Sequence, residues 1–270
     1  MKRKLSILLT AIFAVLIYII IQSGVQFIYT FVIYFQNISH DTELSGAALK
    51  AIFSMKQKKE LLSLVAIILT SIIFYYKYYK DNTIRKIANI TLKKCGIKQI
   101  IHMIITGISV TVLLYMIMLF LLEQVMVPNE EINLMEMSQS NLILAVITVG
   151  VIVPIFEELL FRGLVYGSFK HIFNPWLAIT IQGAIFAFIH KSGVQCVYTF
   201  LLGIIVALYY HWNKNMIYCF VIHIIFNIFG TYILPYFFWS KDKIIFFTVT
   251  ASILFIVSLL WQRKLIDVTQ

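Results

Sequence analysis

Apolar residues in this chain fall into long unbroken stretches, with polar residues gathered in short clusters between them. An α-helix needs roughly 20 residues to cross a bilayer. On that measure the pattern predicts eight membrane helices, near 5–34, 62–79, 100–122, 140–161, 175–190, 196–212, 216–237 and 244–261. None of the stretches alternates strictly, as barrel strands must, and four prolines and 11 glycines are few for a barrel's turns. The expected fold class is all-α, a polytopic transmembrane helical bundle of about eight spans. The first stretch opens on Lys2-Arg3-Lys4 like a secretory leader, but its apolar run continues far past the usual length and meets no small-residue cleavage site. It reads as an uncleaved anchor, tilted or bent near Gly24.

Composition sharpens the picture. Of the 270 residues, 61% are apolar and 13% charged, with a mean hydropathy of +0.90, whereas soluble chains average about 25% charged. A water-soluble domain is excluded. The net charge of +10 would suggest nucleic acid in a soluble protein. Here it follows from Lys and Arg flanking the spans, and no nucleic-acid partner is expected. With both termini inside, 15 of the 22 basic residues face inward, while the loop around 123–138 carries Glu123, Glu130, Glu131 and Glu136 and no Lys or Arg. Both termini are therefore expected in the cytoplasm. The abundance of Ile, Lys, Asn and Phe hints at an AT-rich genome, hence a bacterial plasma membrane. Lys50, Lys56, Lys58 and Lys59, in the loop at 37–61, run against the charge rule. The stretch 80–99 alternates basic and apolar residues and is expected to lie as an amphipathic helix on the anionic inner leaflet. Cys95, Cys196 and Cys219 lack C-x-x-C spacing, so neither a disulfide framework nor a thiolate metal site is indicated.

Ionisable side chains inside spans are costly and mark functional sites. Here they concentrate in the second half of the chain. The run from Pro154 to Gly163 holds Glu157, Glu158 and Arg162; the run from Phe186 to His190 ends a short apolar helix; His223 and Asn227 stand four apart. Glu158 and Arg162 share a helix face at i,i+4 and can pair. Glu157, about 100° round the helix, cannot use that partner equally well. His223 and Asn227 present a ring nitrogen and an amide to one point. If the chain folds back at Phe173-Asn174-Pro175, Glu157 and His190 come to the same depth, each 16 residues from the break. His102, His171 and His211 fall near span ends, where an interfacial imidazole needs no special role. Gly163 and Gly167 read as a small-residue packing pair.

The motifs E-E-x-x-x-R, F-x-x-x-H and H-x-x-x-N stand in that order as Glu157-Glu158 to Arg162, Phe186 to His190, and His223 to Asn227. They resemble those of the CPBP family, the CAAX proteases and bacteriocin-processing or bacteriocin-immunity proteins. It is also called the Abi family and is related to the type II CAAX prenyl endopeptidases. The likeness covers roughly 140–232; the first 130 residues share only hydrophobicity. With the apolar pattern and the charge count, it divides the chain into N-terminal membrane helices with a basic cytoplasmic loop over 1–130, a CAAX-protease-like catalytic core over 139–237, and a last helix and tail over 244–270. It further implies an intramembrane endopeptidase. Glu157 would activate water, His190 would help to hold it, His223 and Asn227 would stabilise the oxyanion, and Glu158 and Arg162 would support the site. The chemistry agrees: a carboxylate out of water is the stronger base, and donors fixed in advance around a developing oxyanion contribute heavily to rate.

Two histidines and a carboxylate would also suit zinc with one open position. The H-E-x-x-H signature is absent, however, and the ligands would come from three helices. A reaction without metal or cofactor is preferred. G-x-S-x-G, G-x-G-D and the phosphate-binding G-x-x-x-x-G-K-[ST] are missing too. The expected partners are the lipid bilayer and a membrane-associated peptide or protein substrate, cut in CAAX-type processing, peptide maturation or bacteriocin immunity. Two other classes compete. One is a non-catalytic membrane scaffold or immunity protein that keeps the motif residues for folding or partner binding. The other is a small-solute or proton carrier using Glu157, which would lack the broken helix pair of such transporters.

Overall fold

The computed structural model describes residues 2–38, 44–79, 90–124, 141–190, 193–237 and 240–267, and all regular structure among them is helical. Helix α1 spans Lys2–Ile38, α2 Leu44–Gln57, and α3 Lys59–Phe74 with a π turn at Tyr75–Tyr79. Then come α4 (Ile97–Gln124), α5 (Leu142–Phe169), α6 (Pro175–Phe188), α7 (Gly193–Asn213), α8 (Met216–Tyr232) and α9 (Lys241–Asp267). Among the described residues seven helices are long and apolar enough to cross a membrane, all but α2 and α6. Phe27, Ile28, Ile245 and Phe246 are each more than 60% exposed, a surface that lipid covers and water would not tolerate. The protein is an integral membrane protein.

The eighth expected span is α6. Its 14 residues reach about 21 Å, short of the roughly 30 Å hydrocarbon core. The break before it is set chemically. The Asn174 side chain accepts from the Leu177 N–H at 2.9 Å, and Pro175, with no N–H to satisfy, takes the first turn. Asn141 and Asn215 cap α5 and α8 in the same way, accepting from Leu144 and Ile217.

Several expectations change. The loop at 37–61 contains a helix, α2, whose Ala47 and Ala51 are fully buried one turn apart. Its serines, glycine and lysines interrupt the apolar run, so periodicity misses it. The first helix runs through Gly24 without interruption for 37 residues, about 55 Å. Of the basic stretch 80–99, residues 80–89 lie outside the described residues, and 90–96 are not helical. There the backbone is claimed by another element: Met216 N–H donates to Thr91 O at 2.9 Å, and the Asn215 carboxamide bonds both the N–H and the O of Lys93. The acidic loop around 123–138 lies outside the described residues beyond its first two positions.

The chain divides into two compact units, one of Met1–Ala11, Lys86–Pro128 and Pro154–Gln270, the other of Ile12–Arg85 and Asn129–Val153. In the second, Tyr29 and Ser54 share a hydrogen bond at 2.8 Å, and Gln22 donates to Ser63 at 3.1 Å. The first unit holds every motif residue. Its helices approach closely at glycines: a Cβ on Gly203 of α7 would meet Gly183 Cα of α6 at 3.1 Å, and one on Gly107 of α4 would meet Ile225 Cδ1 of α8 at 2.9 Å. Gly163 likewise faces the Ile90 side chain, at 3.0 Å.

Candidate active site

The motif glutamates sit on an irregular part of α5. Two π-helical segments, Val146–Ile152 and Leu159–Tyr166, flank the α-helical turn Val153–Glu158. In the first, the Val153 N–H donates five residues back, to Thr148 O. Pro154 has no N–H and crowds the carbonyl of the preceding turn, which the wider π turn accommodates.

Glu157, Glu158, Arg162 and His223 meet in the interior, with exposures of 5, 0, 0 and 2%. Arg162 Nη1 lies 2.8 Å from Glu158 Oε1, an ion pair whose approach is off the line of a hydrogen bond. Arg162 Nη2 donates to the Gly203 carbonyl at 3.3 Å, a group brought within reach by the close α6–α7 crossing. The expected Glu158–Arg162 pair is thus present, but Glu158 does more than balance Arg162. Its Oε1 also accepts from His223 Nδ1 at 2.6 Å, across from α8. That bond fixes the ring, and His223 Nε2 then faces Glu157 Oε2 at 3.8 Å. The separation exceeds a hydrogen bond and suits two groups that share one small molecule between them.

His190, at the end of α6, is half-buried, and its Nδ1 lies 2.8 Å from the Phe186 carbonyl. A carbonyl only accepts, so Nδ1 carries the proton and Nε2 presents a lone pair. The Phe186 ring, fully buried, joins the three motifs. It packs on His190 at 4.9 Å, His223 at 5.8 Å and Phe161 at 5.0 Å, with the Arg162 guanidinium 4.8 Å over its face. Asn227 stands one turn beyond His223 on α8, half-buried. Sequence reasoning recorded Phe186 only as the start of a motif and missed two other features. One is the Gly203 carbonyl; the other is Gln182, one turn before Phe186, fully buried with neither amide atom hydrogen-bonded. The signal for the first lay in two small residues, Gly183 and Gly203, on successive apolar stretches.

Farther along α5, Tyr166 OH meets His211 Nδ1 at 2.7 Å. Just past the helix, burial and then the charge of Lys214 hold Lys170 below the usual lysine range. His102, near the start of α4, has a structural place. It is fully buried, and its Nε2 donates to the Ser258 carbonyl at 3.0 Å. Ser258 Oγ is bonded in turn to Thr106 at 2.5 Å and Tyr209 at 3.1 Å, while Trp261 covers the ring at 5.5 Å. Among the described residues, no three His, Cys, Asp or Glu side chains are grouped to hold a metal ion.

A family model described as Type II CAAX prenyl endopeptidase Rce1-like matches residues 139–229. The matched segment contains every motif residue from Glu157 to Asn227, so the resemblance read from the motifs is found again by the family model, in a family of CAAX-type intramembrane proteases. Neither a curated protein nor a solved structure matches the chain.

Proposed function

We propose that the CAAX-protease-like segment of this chain hydrolyses a peptide bond within the membrane, with Glu157 as the base that activates water. The observation that carries this reading is the buried pair of Glu157 and His223, 3.8 Å apart, with the far side of the imidazole already committed to Glu158. Glu157 takes a proton from water as the water oxygen attacks the scissile carbonyl carbon. The His190 Nε2 lone pair accepts the water's other hydrogen and orients it. His223, held at Nδ1 by Glu158, turns Nε2 toward Glu157. Its Nε2–H and the Asn227 amide then donate to the oxyanion. The carbon–nitrogen bond breaks, and the proton held by Glu157 passes to the leaving amine. No metal takes part.

The substrate is a membrane-associated peptide or protein. CAAX-type processing, maturation of a peptide precursor and bacteriocin immunity are all compatible with this chemistry. Both termini face the cytoplasm of a bacterial cell, with α6 as the short eighth crossing, and reporters fused to each end would have to agree. The test of the activity is a comparison of membrane peptidomes from cells carrying the wild type and Glu157→Ala. Fragments present with the first and lost with the second are expected; identical peptidomes would remove the protease reading and leave a scaffold.

A further inference from the structure

At one end of the first unit, three spans meet their ends together. The apolar stretch of α5 closes at Phe169 and that of α7 at Asn213, while that of α8 opens at Met216. A hydrogen bond between Tyr166 of α5 and His211 of α7, at 2.7 Å, sets two of these ends side by side. It also gathers two lysines. Lys170 is one turn beyond Tyr166, its N–H donating to the Tyr166 carbonyl at 3.0 Å, and Lys214 stands three residues past His211. A third ammonium reaches the same corner, where Lys93 Nζ donates to the Asn213 carbonyl at 3.5 Å.

Cations collected in this way call for an anion, and among the described residues no carboxylate pairs with Lys170, His211 or Lys214. Lys170 is nevertheless half-buried, and burial and the charge of Lys214 both lower its affinity for a proton. Lys214 carries a second anomaly. Its φ is 48°, which makes it the one non-glycine residue among those described in the left-handed region, where glycine sits without strain. The turn needs that conformation, because the Lys214 N–H closes α7 on the Tyr210 carbonyl at 2.8 Å and Asn215 caps α8 immediately after. It does not need a lysine. A side chain kept against backbone strain points to a use for that side chain. The His211 ring is set for the same use: with the Tyr166 phenol donating to Nδ1, the ring hydrogen is on Nε2, away from Tyr166.

We infer that Lys170, His211 and Lys214 form a binding site for a phosphate group, supplied by the headgroup of an anionic phospholipid. The ends of the spans put the site at headgroup depth, and two ammonium groups with an imidazole N–H suit phosphate oxygens. The inference does not depend on the protease reading. Its test uses purified full-length protein in a neutral detergent, with retained lipid counted by native mass spectrometry and thermal stability followed as lipid is added. Wild type should keep one phosphatidylglycerol per chain and be stabilised by it. Phosphatidylcholine, whose trimethylammonium group the lysines repel, should compete poorly. Lys170→Met and Lys214→Gly should each weaken retention about fivefold. Lys214→Gly is the sharper variant, because relief of the backbone should leave its lipid-free stability at or above wild type. The end of α9 lies beside the same corner, Gln262 donating to Asn213 Oδ1 at 3.0 Å, and there Arg263 and Lys264 are exposed. Arg263→Gln and Lys264→Gln should leave retention unchanged. Stabilisation by inorganic phosphate as strong as that by phosphatidylglycerol would overturn the lipid source and keep the phosphate site. Retention unaltered in Lys170→Met and Lys214→Gly, or lowered as much by the α9 variants, would overturn the site itself.

Discussion

His223 and His102 are buried imidazoles in the same unit, 2 and 0% exposed, and their company differs in kind. His223 stands between two carboxylates, one pinning Nδ1 at 2.6 Å and the other 3.8 Å from Nε2. His102 stands among neutral groups: Nε2 meets the Ser258 carbonyl and hydroxyl, and the buried Nδ1 has no hydrogen bond. The second arrangement ties α4 to α9, and through Tyr209 to α7, with no formal charge to move. The first has charge and a second carboxylate 3.8 Å from the free edge of the ring. Burial alone therefore does not single out a candidate catalytic histidine; the ionisable neighbours do.

The largest effect should come from removing the cation that holds the charged set together. Arg162→Ala leaves Glu158 buried without its counter-charge, and loss of one partner from a buried pair costs about 3–5 kcal/mol. Folded yield and thermal stability should fall with activity. Normal stability in purified Arg162→Ala would show that the charged set, like the neutral one, tolerates dissection. Next in size is Glu157→Gln, which keeps shape and removes the proposed base. Cleavage should drop by about 10²–10⁴ at wild-type abundance, read from proteoliposome assays alongside expression level. A variant made normally and retaining full biological function would refute proteolysis as this protein's role.

The pair Glu158–Arg162 was legible because both residues lie on one helix, four apart, where local geometry fixes the outcome. The bond from Glu158 to His223 was not, since it crosses 65 positions of sequence and depends on how α5 and α8 are turned about their axes. The partners of His102 were not legible for a related reason. Its place near a predicted span end says nothing of α9, whose Ser258 and Trp261 cover it. The short helix α6, capped by Asn174, was visible in outline, whereas α2 was hidden by the polar residues that interrupt its apolar run.

Asn227→Ala is expected to be milder than Glu157→Gln, lowering kcat by about 10²–10³ with KM little changed, as for a single lost oxyanion donor; a rise in KM alone would assign Asn227 to substrate binding instead. On the neutral side, Ser258→Ala should cost about 1 kcal/mol of stability and leave the cleavage profile as it was. A large loss of activity without loss of stability would erase the distinction between the two histidines. Exhaustive chelation should change nothing in purified, active protein. Inactivation reversed by added zinc would make the charged set a metal centre.

The π segment Leu159–Tyr166 has a consequence for how α5 tolerates change in length. One end of the segment follows Glu158, held by His223, and the other carries Tyr166, held by His211. A π turn takes about one residue more than an α turn, so removing one residue between these anchors while the helix tightened to regular α form would keep the two ends close to their present phase. In a regular stretch of α-helix the same deletion turns the two ends apart by about 100°. The wide turns of α5 are therefore where a change of length by one residue can be taken up with Glu158 and Tyr166 still facing their partners.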